Sequence, residues 1–593
     1  MTSDFISIQS YYDNITLSLS LSAVLLINLV FLSRYICEKK IFFKEITATS
    51  EAIIFFFIIS TISFITYFFS LIGFNLIFLR FFLIGINIFI FFFFIFKYKK
   101  KLFRKNLENI DYIFLLFFLI LAFAPTSDAD SLDYHLGYPL EILRNENFVF
   151  RSDWYHSRVS GIGEFYNLFG LIFGSPIFGQ IVNFLSLYYL FVMLNEILNN
   201  KKINSLKART LIFSTPLLLW FVYSQKVQLL PSVMLFGAAI YLLDFKKINI
   251  KNYLIFLISL SFIFFSKVSF ILPAFLIFLY SLKFIYKQKK YYYLIFSIFF
   301  ILLLPRFYFN YLYFADIYPP LFERFKSSPD LEYLNFVSDL GKDRATFKFK
   351  FIDYIYFPIK FIVPTKLSNL TITLSVYYAL ILYFLLNLKI YFKDKFFIFI
   401  LIITIFLMLL PNFQPRYFLD SYWFLLMLII RNYSQIKNNI FFKVINFLGV
   451  IQSYLILFAL IIFSTYYFSA NFGKKRYDLI MSQIAQNYQM TLWINNKIPR
   501  NKIVVSDYVR SHAFYQNEFI SREEYFRKDP FKMNDKYKPD FFILTSENKT
   551  FLKKFSRCLL YTGNEEEFYN EARNPFGQKK HKQKIKIYEN VCK

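Results

Sequence analysis

The sequence predicts a polytopic α-helical membrane protein, with about 12–14 transmembrane helices and a small C-terminal extracytoplasmic α/β domain. Three observations predict it. The 593 residues are 57% hydrophobic, with 85 Phe and 46 Tyr. The apolar residues fall in blocks of roughly 17–25, the length a helix needs to cross a hydrocarbon core. Basic residues cluster in alternate connections between those blocks, as the positive-inside rule requires. Codon bias from an A/T-rich genome would explain which apolar residue is used, but not how they are grouped. In hydrocarbon only helices and closed barrels satisfy the backbone, and the blocks lack the alternation of barrel strands.

The basic connections are "RYICEKKIFFKE" (34–45), "KYKKKLFRKN" (97–106), "NNKKINSLKAR" (199–209), "FKKINIKN" (245–252), "KFIYKQKK" (283–290), "LKIYFKDK" (388–395) and "RNYSQIKNN" (431–439). Charge placed this way argues against nucleic acid as the partner, despite a formal net charge of +28. With these loops cytoplasmic, the N-terminus lies outside. The spans are then approximately 16–33, 52–70, 75–96, 111–125, 176–197, 209–224, 229–244, 252–266, 268–283, 291–312, 366–388, 396–411, 417–431 and 444–468. The opening "MTSDFISIQSYYDN" lacks a basic region, so no cleaved signal peptide is expected.

Three regions follow. Residues 1–110 form a three-span block. Residues 111–468 hold the other spans and two external loops, 125–175 and 313–364. Residues 469–593 form an exported tail, where 477–496 reads as an amphipathic helix and 502–507, 540–545 and 584–589 read as strands. The three cysteines have no metal-site spacing. Cys558 and Cys592 both lie in the tail, whose compartment permits a disulfide.

Ionisable chemistry concentrates at "APTSDADSLDYHLGYP" (124–139). Asp128, Asp130 and Asp133 are followed by Tyr134 and His135, then by Glu141, Asp153, His156 and Glu164. Two of the four histidines fall in this loop. An ionised Asp at the bilayer centre costs about 2.5–3.5 kcal/mol, so these carboxylates belong at the interface or in a watered cavity. One reading is a solvated loop with Asp130 or Asp133 as an N-cap. The other is chemical: at the N-terminus of a helix over 131–143, Asp130 stays ionised and serves as base or metal ligand.

A second constellation is Lys226, Lys267, Arg306 and Arg416, each at the outer end of a span, where positive-inside predicts few cations. Snorkelling to headgroups explains any one of them. Four on the face that holds the carboxylates suggest an anion site, with phosphate the candidate. In "FNYLYFADIYPPLFERF" (309–325), Asn310, Asp316 and Tyr318 line a cavity or form only a turn. Arg80, isolated within the third span, reads as a snorkelling or packing residue. The sequence has no P-loop, GxGxxG, HExxH or nucleophile-elbow pattern.

These features resemble the GT-C superfamily of membrane glycosyltransferases, which includes protein O-mannosyltransferases and aminoarabinose transferases. Its loop motif D-E-x-x-Y supplies a catalytic carboxylate. "DSLDY" places Asp130 first and Tyr134 last, with Ser131 where the second acid stands, leaving open whether Asp128 or Asp133 replaces it. "DADSLDYHL" is similar to a bacterial subgroup's D-x-D-x-x-x-Y-H-L. "RFYFNYLYFADIYPP" carries Arg306, Asn310, Tyr318 and Pro319 of a further motif but lacks its Gly-Asn-Pro core. "QPRYFLD" resembles a phosphate-side Arg-Tyr pair, here Arg416 and Tyr417.

The resemblance covers roughly residues 110–590 and implies an inverting glycosyltransferase at the outer face of the plasma membrane. Its donor is a sugar on a polyprenyl phosphate; its acceptor is a glycan, lipid or protein. Arg416, Arg306, Lys267 and Lys226 would hold the phosphate, and Asp130 would act as base with Asp128 or Asp133 beside it. Tyr134, His135, Asn310, Tyr318 and Tyr417 would bind sugar or acceptor. A divalent cation (Mg or Mn), held by Asp128, Asp130 and His135, is compatible but not implied. The alternatives are a lipid-linked saccharide transporter or flippase, a surface polysaccharide polymerase or ligase, and a non-catalytic assembly subunit.

Overall fold

A computed structural model describes residues 6–43, 45–97, 107–149, 160–244, 250–285, 292–319, 322–327, 356–364, 367–409, 414–500, 502–506, 512–520, 538–544, 559–563, 567–570, 579–582 and 585–590. Among them, five helices are long and apolar enough to cross a membrane: Ile15–Glu38, Ala48–Ile72, Leu76–Lys97, Phe178–Asn200 and Ile440–Asn471. Shorter apolar helices, among them Asn109–Ala122, Leu229–Leu242, Lys251–Ser266, Val268–Lys283 and Lys395–Met408, complete the bundle. The protein is a membrane-embedded helical bundle carrying a small C-terminal sheet.

The helices differ in what they face. Phe178–Asn200 is buried on nearly every side and forms the bundle centre. In Leu76–Lys97, by contrast, Phe78, Phe81, Phe89 and Phe96 are each at least 70% exposed. Water would not tolerate that many bare rings on one helix, whereas acyl chains would. Arg80 turns inward from this helix. Its Nε donates to Ile172 O at 2.9 Å, capping the C-terminal carbonyls of helix Glu164–Phe173, so it is a packing residue.

Among the described residues, several of the basic connections meet at one end of the bundle. Lys207 pairs with Glu108 at 2.7 Å, and Arg209 pairs with Glu108 and with Asp111, the latter at 3.3 Å. Ser205 bonds Tyr433, Arg431 pairs with Asp394 at 3.2 Å, and Lys395 donates to Tyr280 at 2.8 Å. Ala48 N reaches Glu196 Oε2 at 2.5 Å and ties the first basic connection to the same end. From there Phe178–Asn200 leads back, over roughly 34 Å at 1.5 Å per residue, to the segment containing Asp128 and Asp130.

Two of the expected spans are not single helices. Residues 209–224 break into Ala208–Phe213 and Leu217–Val222, because Pro216 lacks an N–H and disfavours helix in the residue before it. Among the described residues of 366–388 the α-helix is confined to Leu380–Leu386 and the start of Leu388–Tyr391; the preceding "SNLTITLS" is rich in Ser, Asn and Thr, whose side chains compete for backbone partners, and forms 3-10 turns. The expected tail helix is likewise two, Lys474–Ile484 and Tyr488–Lys497, divided where Asn487 adopts φ 61°.

The tail sheet contains all three expected strands: β1 (Ile503–Ser506), β3 (Phe541–Leu544) and β7 (Ile585–Glu589). With β2 (Glu518–Ile520) and β4 (Leu559–Gly563) the order is β2-β1-β3-β7-β4, β1 running parallel to both neighbours and β7 antiparallel to both of its own. A separate hairpin joins β5 (Glu567–Asn570) and β6 (Lys579–Lys582).

This tail docks at the end opposite the basic loops. His512 Nε2 lies 2.9 Å from Glu141 Oε1, which Arg144 Nη1 meets at 2.7 Å. Arg144 also donates to Ile6 O at 2.7 Å and Tyr515 O at 2.9 Å. Tyr12 stacks on Tyr477 at 4.8 Å. Asp153, His156, Cys558, Cys592 and most of the 313–364 loop lie outside the described residues.

Candidate functional site

The Asn109–Ala122 helix delivers the chain to Asp128, whose carboxylate turns it. Asp128 Oδ2 accepts from Ser131 N at 3.0 Å and from Ser131 Oγ at 2.8 Å. The turn that follows, Ser131–His135, is a π-helix, a wide form concentrated at functional sites. Helix Gly137–Asn145 continues from it. Asp130 thus sits at the N-cap of the π-turn, with φ −65° and ψ −34°.

Asp128 and Asp130 share one cation. Lys226 Nζ lies 3.2 Å from Asp128 Oδ2 and pairs closely with Asp130 Oδ2. Arg416 Nη1 approaches Asp130 Oδ2 at 3.5 Å. Trp220 underlies all of this. Its indole N–H donates to Asp128 Oδ1 at 2.7 Å, and its ring lies 4.5 Å from Lys226 Nζ and 5.8 Å from the Arg416 guanidinium. Arg416 is further oriented by Tyr417, whose hydroxyl accepts from Nη2 at 3.1 Å. The Asp130 side chain is 32% exposed, against 1% for Lys226 and 6% for Asp128. It is the carboxylate that opens outward.

Lys267 joins through Gln228, whose Oε1 accepts from its Nζ at 3.4 Å while Nε2 donates to Arg416 O at 3.3 Å. Lys267 occupies the connection between helix Ile250–Ser266 and the 3-10 turn Val268–Phe270. Desolvation, and then the charges of Arg416 and Lys226, push its ammonium down to about 7.

Behind Asp130, Tyr134 is partly buried against His135, with ring centroids 4.0 Å apart. His135 Nδ1 is 2.9 Å from both Glu164 oxygens. Burial raises the Glu164 carboxyl well above the ordinary range, the Lys267 charge opposing it. Glu164 arrives on the tight segment Ser160–Glu164. A Cβ on Gly161 would overlap the carbonyl oxygens of Phe265 and Ser266, and one on Gly163 would overlap Val227. Only glycine lets this segment lie beside the chain bearing Lys226 and Lys267.

The structure therefore brings together Asp128, Asp130, Lys226, Lys267, Arg416 and Tyr417, with Tyr134 beside them and Asp133 buried in the same turn. It places Arg306, Asn310 and Tyr318 elsewhere. Arg306 donates to Ser160 O, Asn310 Nδ2 to Ile317 O at 3.0 Å, and Tyr318 OH to Phe264 O at 3.0 Å. With Ser160, Gly161 and Phe265 they line a small cavity. Helix Tyr292–Phe314 delivers Arg306 to the Ser160–Glu164 segment rather than into the ion pairs of Asp130 with Lys226 and Arg416.

The trio suggested for a metal is also divided. His135 Nδ1 faces Glu164, and the Lys226 ammonium already fills the place between Asp128 and Asp130. Among the described residues, no three acids, histidines or cysteines form a metal-ligand group. Sequence reasoning missed Trp220 and Gln228. Trp220 lies inside an apolar run and reads as core; the glutamines flanking Lys226 in "YSQKVQLL" were the available signal.

No curated protein and no solved structure matches the chain. The DUF1420 N-terminal domain matches residues 94–477, which include Asp128, Asp130, Trp220, Lys226, Lys267 and Arg416. That match spans more than half of the sequence, from the end of the third long helix into the tail, so the chain belongs to the DUF1420 family.

Proposed function

We propose that the protein transfers a sugar from a polyprenyl-phosphate donor to an acceptor hydroxyl or amine at the extracytoplasmic face of the plasma membrane, on a GT-C-like bundle of about 12–14 spans with its basic loops in the cytoplasm. One observation carries this reading. A partly exposed carboxylate, Asp130, stands against Lys226 and Arg416, with Lys267 nearby, at the end of an apolar bundle away from the basic loops. Such a site offers a proton acceptor and a phosphate grip side by side.

In the reaction, Asp130 takes the acceptor proton as the acceptor oxygen or nitrogen bonds the anomeric carbon from the face opposite the phosphate. The bond from that carbon to the phosphate oxygen breaks, its electron pair staying on oxygen, and the configuration inverts. Arg416, Lys226 and Lys267 stabilise the charge that develops on the leaving phosphate. Tyr134 and Tyr417 contact sugar or acceptor in this reading, and His135, buried against Glu164, supports the Tyr134 ring. Arg306, Asn310 and Tyr318 act indirectly, by fixing the Ser160–Glu164 segment. A transporter would want ionisable groups along mid-bundle, whereas the ion pairs described above gather at the two ends.

The test is turnover of labelled polyprenyl-phosphate sugars by purified protein in bilayers. Asp130→Asn should lower transfer by about 10²–10⁴-fold, the contribution typical of a positioned base, while preserving yield and thermal stability. Undiminished turnover would remove Asp130 from the chemistry.

A further inference from the structure

We propose that Asp130 is a built-in counterion of a phosphate site, and that a phosphate ester enters by displacing its carboxylate from Lys226 and Arg416. The inference rests on the phosphate reading above and deepens it by fixing the order of events. Three observations support it.

The first is the difference between the two acids. Asp128 is locked, its Oδ1 taken by Trp220 and its Oδ2 by Ser131 and Lys226. Asp130 instead reaches Lys226 and Arg416 through Oδ2 from a side chain that is one third exposed. Asp128 holds the site's shape, and Asp130 occupies its mouth.

Second, the cations are anchored without Asp130. Lys226 and Arg416 lie over the Trp220 face, Arg416 is held by Tyr417, and the Gln228 side chain spans from the Arg416 backbone to Lys267. Removing the Asp130 carboxylate leaves this frame standing. The Lys267 contact, 3.4 Å to an amide oxygen, is long for an ammonium and leaves room for a stronger acceptor.

Third, the charges balance at each stage. Lys226, Lys267 and Arg416, when all protonated, face Asp128 and Asp130; with Asp133, buried in the same turn, uncharged, this leaves a surplus of one positive charge that matches a phosphodiester donor. The His135–Glu164 pair adds no net charge wherever its proton sits. When Asp130 takes the acceptor proton the surplus becomes two, and the departing phosphate monoester carries two negative charges. Paired to Lys226 and Arg416, Asp130 is a poor base; displaced by phosphate, it is free to meet the acceptor. Phosphate therefore binds before the acceptor's proton can move.

The experiment measures binding of inorganic phosphate and of farnesyl phosphate to full-length protein in nanodiscs, in wild type, Asp130→Asn, Asp130→Ser, Arg416→Met and Lys226→Met. Neutralising position 130 should tighten both probes by about tenfold or more, because a competing carboxylate is gone, and either cation variant should weaken both. Two substitutions of different shape at 130 guard against one failing to fold. Farnesyl phosphate binding tighter than inorganic phosphate assigns the site to a lipid phosphate; equal affinities would overturn that assignment. If neither neutral variant tightens binding, displacement is wrong even where transfer is lost. If binding tightens but transfer survives, displacement stands and the role of Asp130 as base falls.

Discussion

Asp128 and Asp130 are two residues apart and end in different environments, one saturated and one open. The sequence marks both as unusual in an apolar chain, but their division of labour depends on Trp220, about ninety residues further on. Lys267 permits a separate test. Desolvation, Arg416 and Lys226 lower its proton affinity to about 7, while Glu164 and Asp130 oppose them more weakly. An arriving phosphate favours the charged lysine, so binding takes up a proton wherever the pH is above that value. Affinity for a phosphodiester probe, whose own charge is constant, should fall as pH rises from about 7 to about 9. Calorimetry in buffers of different ionisation enthalpy reads the proton directly. PH-independent binding, or the same slope in Lys267→Met, would refute the role of Lys267.

At the scale of elements, the site depends on irregular structure rather than on the long helices. The π-turn, the break at Pro216 and the glycine segment set three chain stretches side by side. Helix positions were legible because apolar blocks of spanning length have few other solutions in lipid. The breaks were less so, since Pro216 and the Thr-rich 371–375 stretch sit inside blocks of sufficient overall hydropathy. Gly161 tests the packing. Gly161→Ala forces a methyl against two backbone carbonyls that cannot rotate away and should cost about 1–3 kcal/mol, read as a lower unfolding temperature together with weakened phosphate binding. Gly85→Ala, where a Cβ meets nothing within 4 Å, is the control and should leave phosphate binding unchanged. An unaltered Gly161→Ala protein would show that the segment has slack.

For the whole molecule, the charge distribution makes the sharpest prediction. Among the described residues, several basic connections gather at one end, and the acidic turn, Lys226, Lys267, Arg416 and the tail gather at the other. Single cysteines placed at Asn204 and at Lys475, in a variant lacking native thiols, should react with impermeant reagents from opposite faces of intact cells, Lys475 from outside. Labelling of both from one face would overturn the topology, and labelling of Lys475 only from the cytosol would overturn the proposed compartment. The tail is fixed to the bundle by the buried His512–Glu141–Arg144 contact, which no spacing in the sequence announces.

By itself the sequence determined that the chain is a helical membrane protein, where most of its helices run, and that the tail carries a sheet. Those properties follow from hydropathy and charge summed over windows of neighbouring residues, and a linear chain displays such sums directly. Tertiary structure alone decided that Arg416 meets Asp130 while Arg306 bonds Ser160 O, that an ammonium sits between the two aspartates, and that an indole supports the cations. Apart from Trp220 and Lys226, six positions apart, these contacts join residues from about ninety to nearly three hundred positions apart, set by how irregular turns pack, and no local sum encodes them.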